Sequence, residues 1–189
     1  MTAVAPASAA ACSDLSQADL DRGREVLRFC NSYSRLPTLG EIWGARHGEC
    51  GWREWLTLLG EEWEVCDDIG FHTEWLIEDS PLADALQGHG REHLMNEEER
   101  AAYAALPDEF EVWRGCYAAN AHGLSWSLER STAERFPTLH RYRGEGRPML
   151  IRARARKAEV AAIKLRRNEA EVITWRPRII SKRFLQGSA

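Results

Sequence analysis

The sequence predicts an α+β fold in which a helical N-terminal part precedes a strand-rich C-terminal part. Up to residue 106, apolar residues recur at helical spacing and no segment alternates between apolar and polar residues. After Pro107 the pattern changes, and several short segments alternate with the period of two that is typical of strands. We therefore expect a disordered tail at 1–13, a helical region at 14–106 and a strand-rich core at 107–185.

The composition is that of a soluble globular protein, since 44% of the residues are hydrophobic and 29% are charged. No apolar run approaches the roughly 20 residues that span a bilayer, and we expect no membrane partner. The opening stretch MTAVAPASAAAC lacks the basic region of a signal peptide. Five scattered cysteines, an odd number, favour a reducing compartment over a disulfide framework. These features predict a cytoplasmic location, in the producing cell or in a target cell.

The helical region contains several segments with their own start and stop signals. Residues 14–31 have helical periodicity, RLPTLGEIWG is a break followed by a short helix, and DSPLADALQGHG is a turn followed by another. NEEERAAYAAL begins with Asn96 as a capping residue and has Glu99 at the third position. The clearest helix carries one continuous apolar stripe, which we expect to be core rather than a stacking platform for bases: Trp52, Trp55, Leu56, Leu59 and Trp63.

The C-terminal part begins with the alternating segment FEVWRG. The segment ERSTAERFP is a short helix with Ser131 as its expected N-cap and Pro137 at its end. The polar loop RYRGEGRP follows, and MLIRARAR alternates cleanly, with Met149, Ile151, Ala153 and Ala155 on one face. EVAAIKL and EAEVITW are two further strands separated by RRN.

Charge is unevenly distributed along the chain. The segment 141–183 has fourteen basic and four acidic residues, a balance of +10, and the remainder has eleven basic and twenty-five acidic residues, a balance of −14. Two interpretations remain open. The two parts attract each other in the fold, or the basic segments RARARK and KLRR present a surface to an acidic partner such as RNA or DNA.

Three short motifs place an arginine, two serines and two glutamates at the ends of plausible strands. Arg114 closes the strand segment EVWRG, Ser125 and Ser127 flank a tryptophan in GLSWS, and Glu169 and Glu171 lie two apart in NEAEVI. In a strand, the two glutamates share one face. Each motif alone is weak evidence for a functional site, since exposed strand glutamates and surface arginines are common.

Taken in order, the motifs resemble the arginine–serine–glutamate class of mono-ADP-ribosyltransferases, which includes bacterial toxins and phage enzymes. The resemblance covers roughly residues 109–175. It implies two small packed sheets, with the helical region lining one wall of a cleft that binds NAD as a substrate. The middle residue of the serine motif is Trp126, where the toxins usually carry threonine.

The resemblance also implies a role for each matched residue. Glu171 would stabilise positive charge on the ribose as the bond to nicotinamide breaks, and Ser125 would orient it. Glu169 would orient the acceptor, and Arg114 would bind a pyrophosphate oxygen. The remaining residues expected at the NAD site are Gly115 beside the nicotinamide amide, Ser127, Phe136 (more often helix core than a stacking ring) and one of the loop arginines Arg141, Arg143 and Arg147.

By the same resemblance, a glutamate at position 169 implies that the acceptor is a protein arginine side chain. ADP-ribosylation of nucleic acid and hydrolysis of NAD by an intracellular toxin remain alternatives, and so does a non-catalytic module that kept the fold. An antitoxin or another regulator is a possible further partner. We expect no metal. His47, Cys50, Cys66 and His72 match no standard zinc spacing.

Overall fold

The computed structural model describes residues 15–44, 51–139, 144–166 and 170–185, so the predicted tail at 1–13 lies outside it. Within these ranges the protein has an α+β fold of seven α-helices and six strands. The helices are α1 (Gln17–Leu27), α2 (Arg35–Gly44), α3 (Trp52–Glu62), α4 (Thr73–Glu78), α5 (Leu82–Leu86), α6 (Glu97–Ala105) and α7 (Arg130–Arg135). The strands are β1 (Glu109–Cys116), β2 (Ser125–Ser127), β3 (Met149–Arg156), β4 (Val160–Lys164), β5 (Glu171–Thr174) and β6 (Arg178–Phe184).

Helix α3 forms because its apolar stripe packs against the other helices. Trp55 and Trp63 have no exposed surface, as predicted for the core. The prediction is wrong for Trp52, which lies in the first turn and is 41% exposed, with its ring in a T-shaped contact with His93. Gly60 has a packing role: a Cβ there would overlap the carbonyl oxygen of Leu94, so glycine lets the 3-10 turn Arg91–Leu94 lie directly against the helix.

The two predicted helix caps have different outcomes. Asn96 caps α6 as predicted: its side chain accepts from the Glu99 amide at 2.9 Å, and the Glu99 carboxylate accepts from the Asn96 amide at 2.9 Å. The prediction for Ser131 is wrong, because α7 begins at Arg130 and its N-cap is Glu129, two residues before Ser131.

The six strands form one antiparallel sheet in the order β4-β5-β2-β1-β3-β6. This corrects the expectation of two separate sheets. Its two three-stranded halves join at a single residue pair, Trp113 with Ser127. Strand β3 has the predicted bounds and the predicted buried face. Strands β2 and β6 are not predicted, because β2 has only three residues and β6 is an edge strand with no buried face.

Two buried clusters hold the elements together. The first lies between the helices and the sheet, and it includes Leu124, Ala162 and Ile173 from the strand-rich part. The second lies on the other side, where Val112 of β1, Trp126 of β2 and Val172 of β5 pack together. The helical region therefore packs against one face of the sheet. None of the helices in the described ranges is long and apolar enough to cross a bilayer.

Among the described residues, four ion pairs connect the acidic N-terminal part to the basic segment 141–183. They join Lys164 to Glu99 at 2.8 Å, Arg154 to Glu109 at 3.7 Å, Arg152 to Glu111, and Arg183 to Glu134. The Lys164–Glu99 pair is buried, whereas the others lie at the surface. These contacts support the interpretation that the two oppositely charged parts attract each other within the fold.

Candidate functional site

A cavity of about 480 Å³ opens between the helical region and the middle of the sheet. Its walls come from β1, β2, β5, α7 and the segment 63–71 after α3. Six of the residues predicted for the site line this one cavity: Arg114, Gly115, Ser125, Ser127, Phe136 and Glu171. Glu169, Arg141 and Arg143 lie outside the described residues.

Arg114 lies where β1 and β2 separate. The two strands pair at Trp113 and Ser127. Beyond this pair, the Arg114 guanidinium donates hydrogen bonds to backbone carbonyl groups. Its Nε–H and one Nη2–H donate to the Asn120 carbonyl at 3.2 and 3.0 Å, and an Nη1–H donates to the Ser125 carbonyl. Gly123 is required beside it, because a Cβ there would overlap Nη2 and lie 2.8 Å from Cζ.

Two of the five N–H groups of Arg114 therefore have no hydrogen-bond acceptor among the described residues. Burial lowers the pKa of this guanidinium, and the nearby Cys116 and Glu171 oppose that shift. Because arginine stays protonated in proteins, Arg114 is a poorly solvated cation at the cavity wall. Such a group favours an anionic ligand, and its planar fork suits the oxygen atoms of phosphate.

Glu171 is the first residue of β5, and its cross-strand neighbours are Ser127 and Lys164. The indole N–H of Trp63 donates to its Oε1 atom at 2.8 Å. Trp63 is fully buried, so the end of the α3 stripe fixes this carboxylate at the cavity wall. Trp63 was predicted only as core. Its role at the site could have been suspected from its side chain, because a buried indole N–H usually finds a hydrogen-bond acceptor.

The two serines occupy different environments. Ser127 is buried, and its hydroxyl donates to the Glu129 carbonyl at 2.9 Å and accepts from the Glu129 amide at 3.0 Å. This local turn leads the chain from β2 into α7. Ser125 is half-buried, and its backbone carbonyl accepts from Arg114. The orientation of Glu171 by the Ser125 hydroxyl stays a prediction.

Gly115 is required for packing. A Cβ at this position would overlap the Ala133 carbonyl oxygen and lie 2.7 Å from Pro137 Cδ. Glycine therefore lets α7 and the following turn lie directly on β1. Phe136, in that turn, is half-buried at the cavity wall. Contact of Gly115 or Phe136 with nicotinamide stays a prediction.

Trp126 lines the cavity wall but is almost completely buried. It is 3% exposed and packs in the second buried cluster, and its indole N–H donates to the Gly123 carbonyl at 3.0 Å. That bond holds the loop that faces Arg114. The tryptophan in the middle of the serine motif thus supports the loop that carries the site.

Glu64 is a site residue that the sequence analysis missed. It follows Trp63 and lines the same cavity as Glu171. Burial raises the pKa of the Glu64 carboxyl, as do Glu171 and Glu99, and Lys164 lowers it. Two further carboxylates, Asp67 and Asp68, continue this acidic wall. No local pattern in the sequence identifies Glu64 as a site residue, because only tertiary packing brings it near Glu171.

The cavity thiols are unsuited to nucleophilic chemistry. Burial raises the pKa of Cys66 to about 12 and also raises that of Cys116, so both are protonated at neutral pH. Within the described ranges, no three histidine, cysteine or acidic side chains are grouped to hold a metal ion. His47 and Cys50 lie outside those ranges.

Comparison with known proteins finds no matching family model, no matching curated protein and no matching solved structure. The functional interpretation therefore depends on the residues of the cavity and on their chemistry.

Proposed function

We propose that the protein is a mono-ADP-ribosyltransferase that breaks the bond between nicotinamide and ribose in NAD and transfers ADP-ribose to an acceptor, with protein arginine side chains as the favoured acceptor. One observation carries the proposal. The Arg114 guanidinium and the Glu171 carboxylate, 57 positions apart in the sequence, line the same cavity, with Ser125 and Ser127 on the strand between them.

Arg114 suits the pyrophosphate of NAD. Three of its N–H groups are used by backbone carbonyls, which fix the plane of the guanidinium before a ligand arrives. The other two N–H groups are available to phosphate oxygens, and a hydrogen bond to an ionised group is worth about 1.5–3 kcal/mol. A group fixed in this way loses little conformational entropy on binding.

Glu171 suits the ribose. As the nicotinamide leaves with the electron pair of the broken C–N bond, positive charge develops on the sugar, as in glycoside cleavage. A carboxylate held by the Trp63 N–H at 2.8 Å stabilises that charge without having to reorient. The acceptor nitrogen then forms the new bond to the ribose carbon and loses a proton.

The charges around the cavity favour a cationic acceptor over nucleic acid. Glu64, Asp67 and Asp68 form an acidic wall on the helical side. The arginines of RARARK, which suggested a nucleic-acid surface, form ion pairs with Glu111, Glu109 and Glu159. Those pairs reduce the positive potential that would attract phosphate.

The test is to incubate the purified protein with NAD labelled on the adenine and with a cell lysate. Label should enter material that protease, but not nuclease, degrades. Glu169→Gln should abolish transfer to protein and leave slow NAD hydrolysis, because water needs no carboxylate to hold it.

Other outcomes identify the alternatives. Nuclease-sensitive label would move nucleic acid to first place as the acceptor, and free ADP-ribose alone would indicate an NAD glycohydrolase. NAD binding without any turnover would indicate a non-catalytic module.

A further inference from the structure

In the described residues, nothing covers the outer edge or either face of strand β6. It is the last strand of the sheet, so its outer backbone edge pairs with no strand of the described ranges. All seven of its residues are exposed, which means that neither face is covered. An edge strand presents a row of unpaired N–H and C=O groups and is a template for another strand.

The side chains of β6 combine apolar and basic groups. Ile179 and Ile180 are each 42% exposed, and Phe184 is 56% exposed. Arg178 and Lys182 form no ion pair with any described residue, unlike Arg152 and Arg154 on the neighbouring strand. The edge therefore offers apolar contact area together with uncompensated positive charge.

The ladder limits where another strand can pair. The register between β3 and β6 shifts between Arg152 and Ala153, which leaves Ile180 as the extra residue of a bulge. From Ser181 to Phe184 the pairing is regular. Arg147 extends the basic character past the end of this run, because its guanidinium lies 4.5 Å from the centre of the Phe184 ring.

We propose that β6 accepts an extended, acidic segment of a partner protein, which adds a seventh strand along Ser181–Phe184. Backbone hydrogen bonds would supply the pairing, and alternate side chains of the partner would contact the apolar and basic groups. A second copy of this chain fits poorly, because β6 paired with itself brings two sets of like charges together. Nucleic acid fits poorly because it has no peptide backbone to pair with the N–H and C=O groups of the strand edge.

The test uses a fluorescein-labelled heptapeptide of alternating glutamate and valine, with one of alternating lysine and valine as the charge control. Fluorescence anisotropy measures binding to the full chain. Hydrogen exchange then reports whether the peptide protects backbone amides within 181–184, which strand addition along this run requires.

Two double variants with the same change in net charge isolate the surface. Arg178→Glu with Lys182→Glu should weaken binding of the acidic peptide at least about tenfold, whereas Arg22→Glu on α1 with Arg28→Glu at its C-cap should change it less than about twofold. All four side chains are exposed, so both variants should fold.

The inference is overturned if the acidic peptide does not bind, if the lysine peptide binds equally well, or if binding leaves the β6 amides unprotected. Binding of oligo-dT that the β6 variant abolishes, without peptide binding, would indicate nucleic acid instead. A dimer in sedimentation that the same variant dissociates would indicate a second copy. None of these results depends on NAD chemistry.

Discussion

Arg114 and Glu171 are the two charged side chains on which the proposed chemistry depends, and different parts of the chain fix them. Backbone carbonyls of the 118–125 loop and β2 hold the arginine, and a buried indole holds the glutamate. Neutral dipoles thus help to fix the position of each charge. This arrangement is the preorganisation that electrostatic catalysis requires.

Trp63 should act as a positioning residue. Trp63→Phe keeps most of the ring and removes the hydrogen bond to Glu171, a bond to an ionised group worth about 1.5–3 kcal/mol. We expect the turnover rate for NAD to fall about tenfold to hundredfold, with the Kd for NAD unchanged. Steady-state kinetics and calorimetry measure the two quantities.

Trp55→Phe is the matched control, because the Trp55 indole donates to the Leu39 carbonyl at 2.8 Å, away from the cavity. It should lower stability and leave turnover near the wild-type rate. Equal turnover losses in the two variants would show that Trp63 matters only for packing.

Glu64 should make stability depend on pH. Its pKa is raised in the folded protein by burial, and Glu171 contributes, so the folded state holds this proton more tightly than the unfolded chain. The stabilising effect of the bound proton is present below the ordinary carboxyl pKa and is lost as the pH rises through the raised value. Glu64→Gln should therefore be more stable than wild type at pH 7.

Urea denaturation at pH 7 and at about pH 4 measures this difference, which should shrink at the lower pH, where the wild-type carboxyl is increasingly protonated. A stability difference of the same size at both pH values would contradict the electrostatic explanation.

At the scale of elements, close backbone contacts position the site. Gly115 lets α7 lie on β1, and Gly60 lets the turn at Arg91–Leu94 lie on α3. Local periodicity predicted α3 and β3, because one face of each must be apolar. The capping signal of Asn96 and Glu99 predicted α6. The spacing of residues could not predict the Trp63–Glu171 bond, which joins positions 108 apart.

Gly115→Ala should destabilise the fold by about 1–3 kcal/mol, the usual cost of overpacking, since the new methyl overlaps the Ala133 carbonyl oxygen. Urea denaturation measures the loss. Gly44→Ala, at the end of α2, is the control, because a Cβ there meets no heavy atom within 4 Å. The packing explanation fails if both substitutions have the same small effect.

At the scale of the whole molecule, ion pairs connect the two oppositely charged parts of the chain. The Lys164–Glu99 pair is the buried one, and it joins α6 to β4. Lys164 also donates to the Leu94 carbonyl at 3.0 Å. Ion pairs within the fold thus neutralise part of the charge imbalance seen in the sequence. The sequence alone did not distinguish this interpretation from binding to an acidic partner.

Lys164→Met should destabilise the protein by about 3–5 kcal/mol, because it leaves the Glu99 carboxylate buried without its cation. Adding Glu99→Gln should restore part of that loss. Chemical denaturation of these two variants and of Glu99→Gln alone gives the coupling between the two positions. Strict additivity would show that the pair does not connect the two parts energetically.

The rate of nicotinamide release from NAD tests the central claim most directly. We compare the wild type with Glu171→Gln, which keeps the shape of the side chain and removes its charge, and with Glu109→Gln on the exposed start of β1. Glu171→Gln should slow release by roughly 10²–10⁴-fold, and Glu109→Gln should not change it. Equal release by all three proteins, or none by the wild type, would contradict the assignment of this cavity to NAD cleavage.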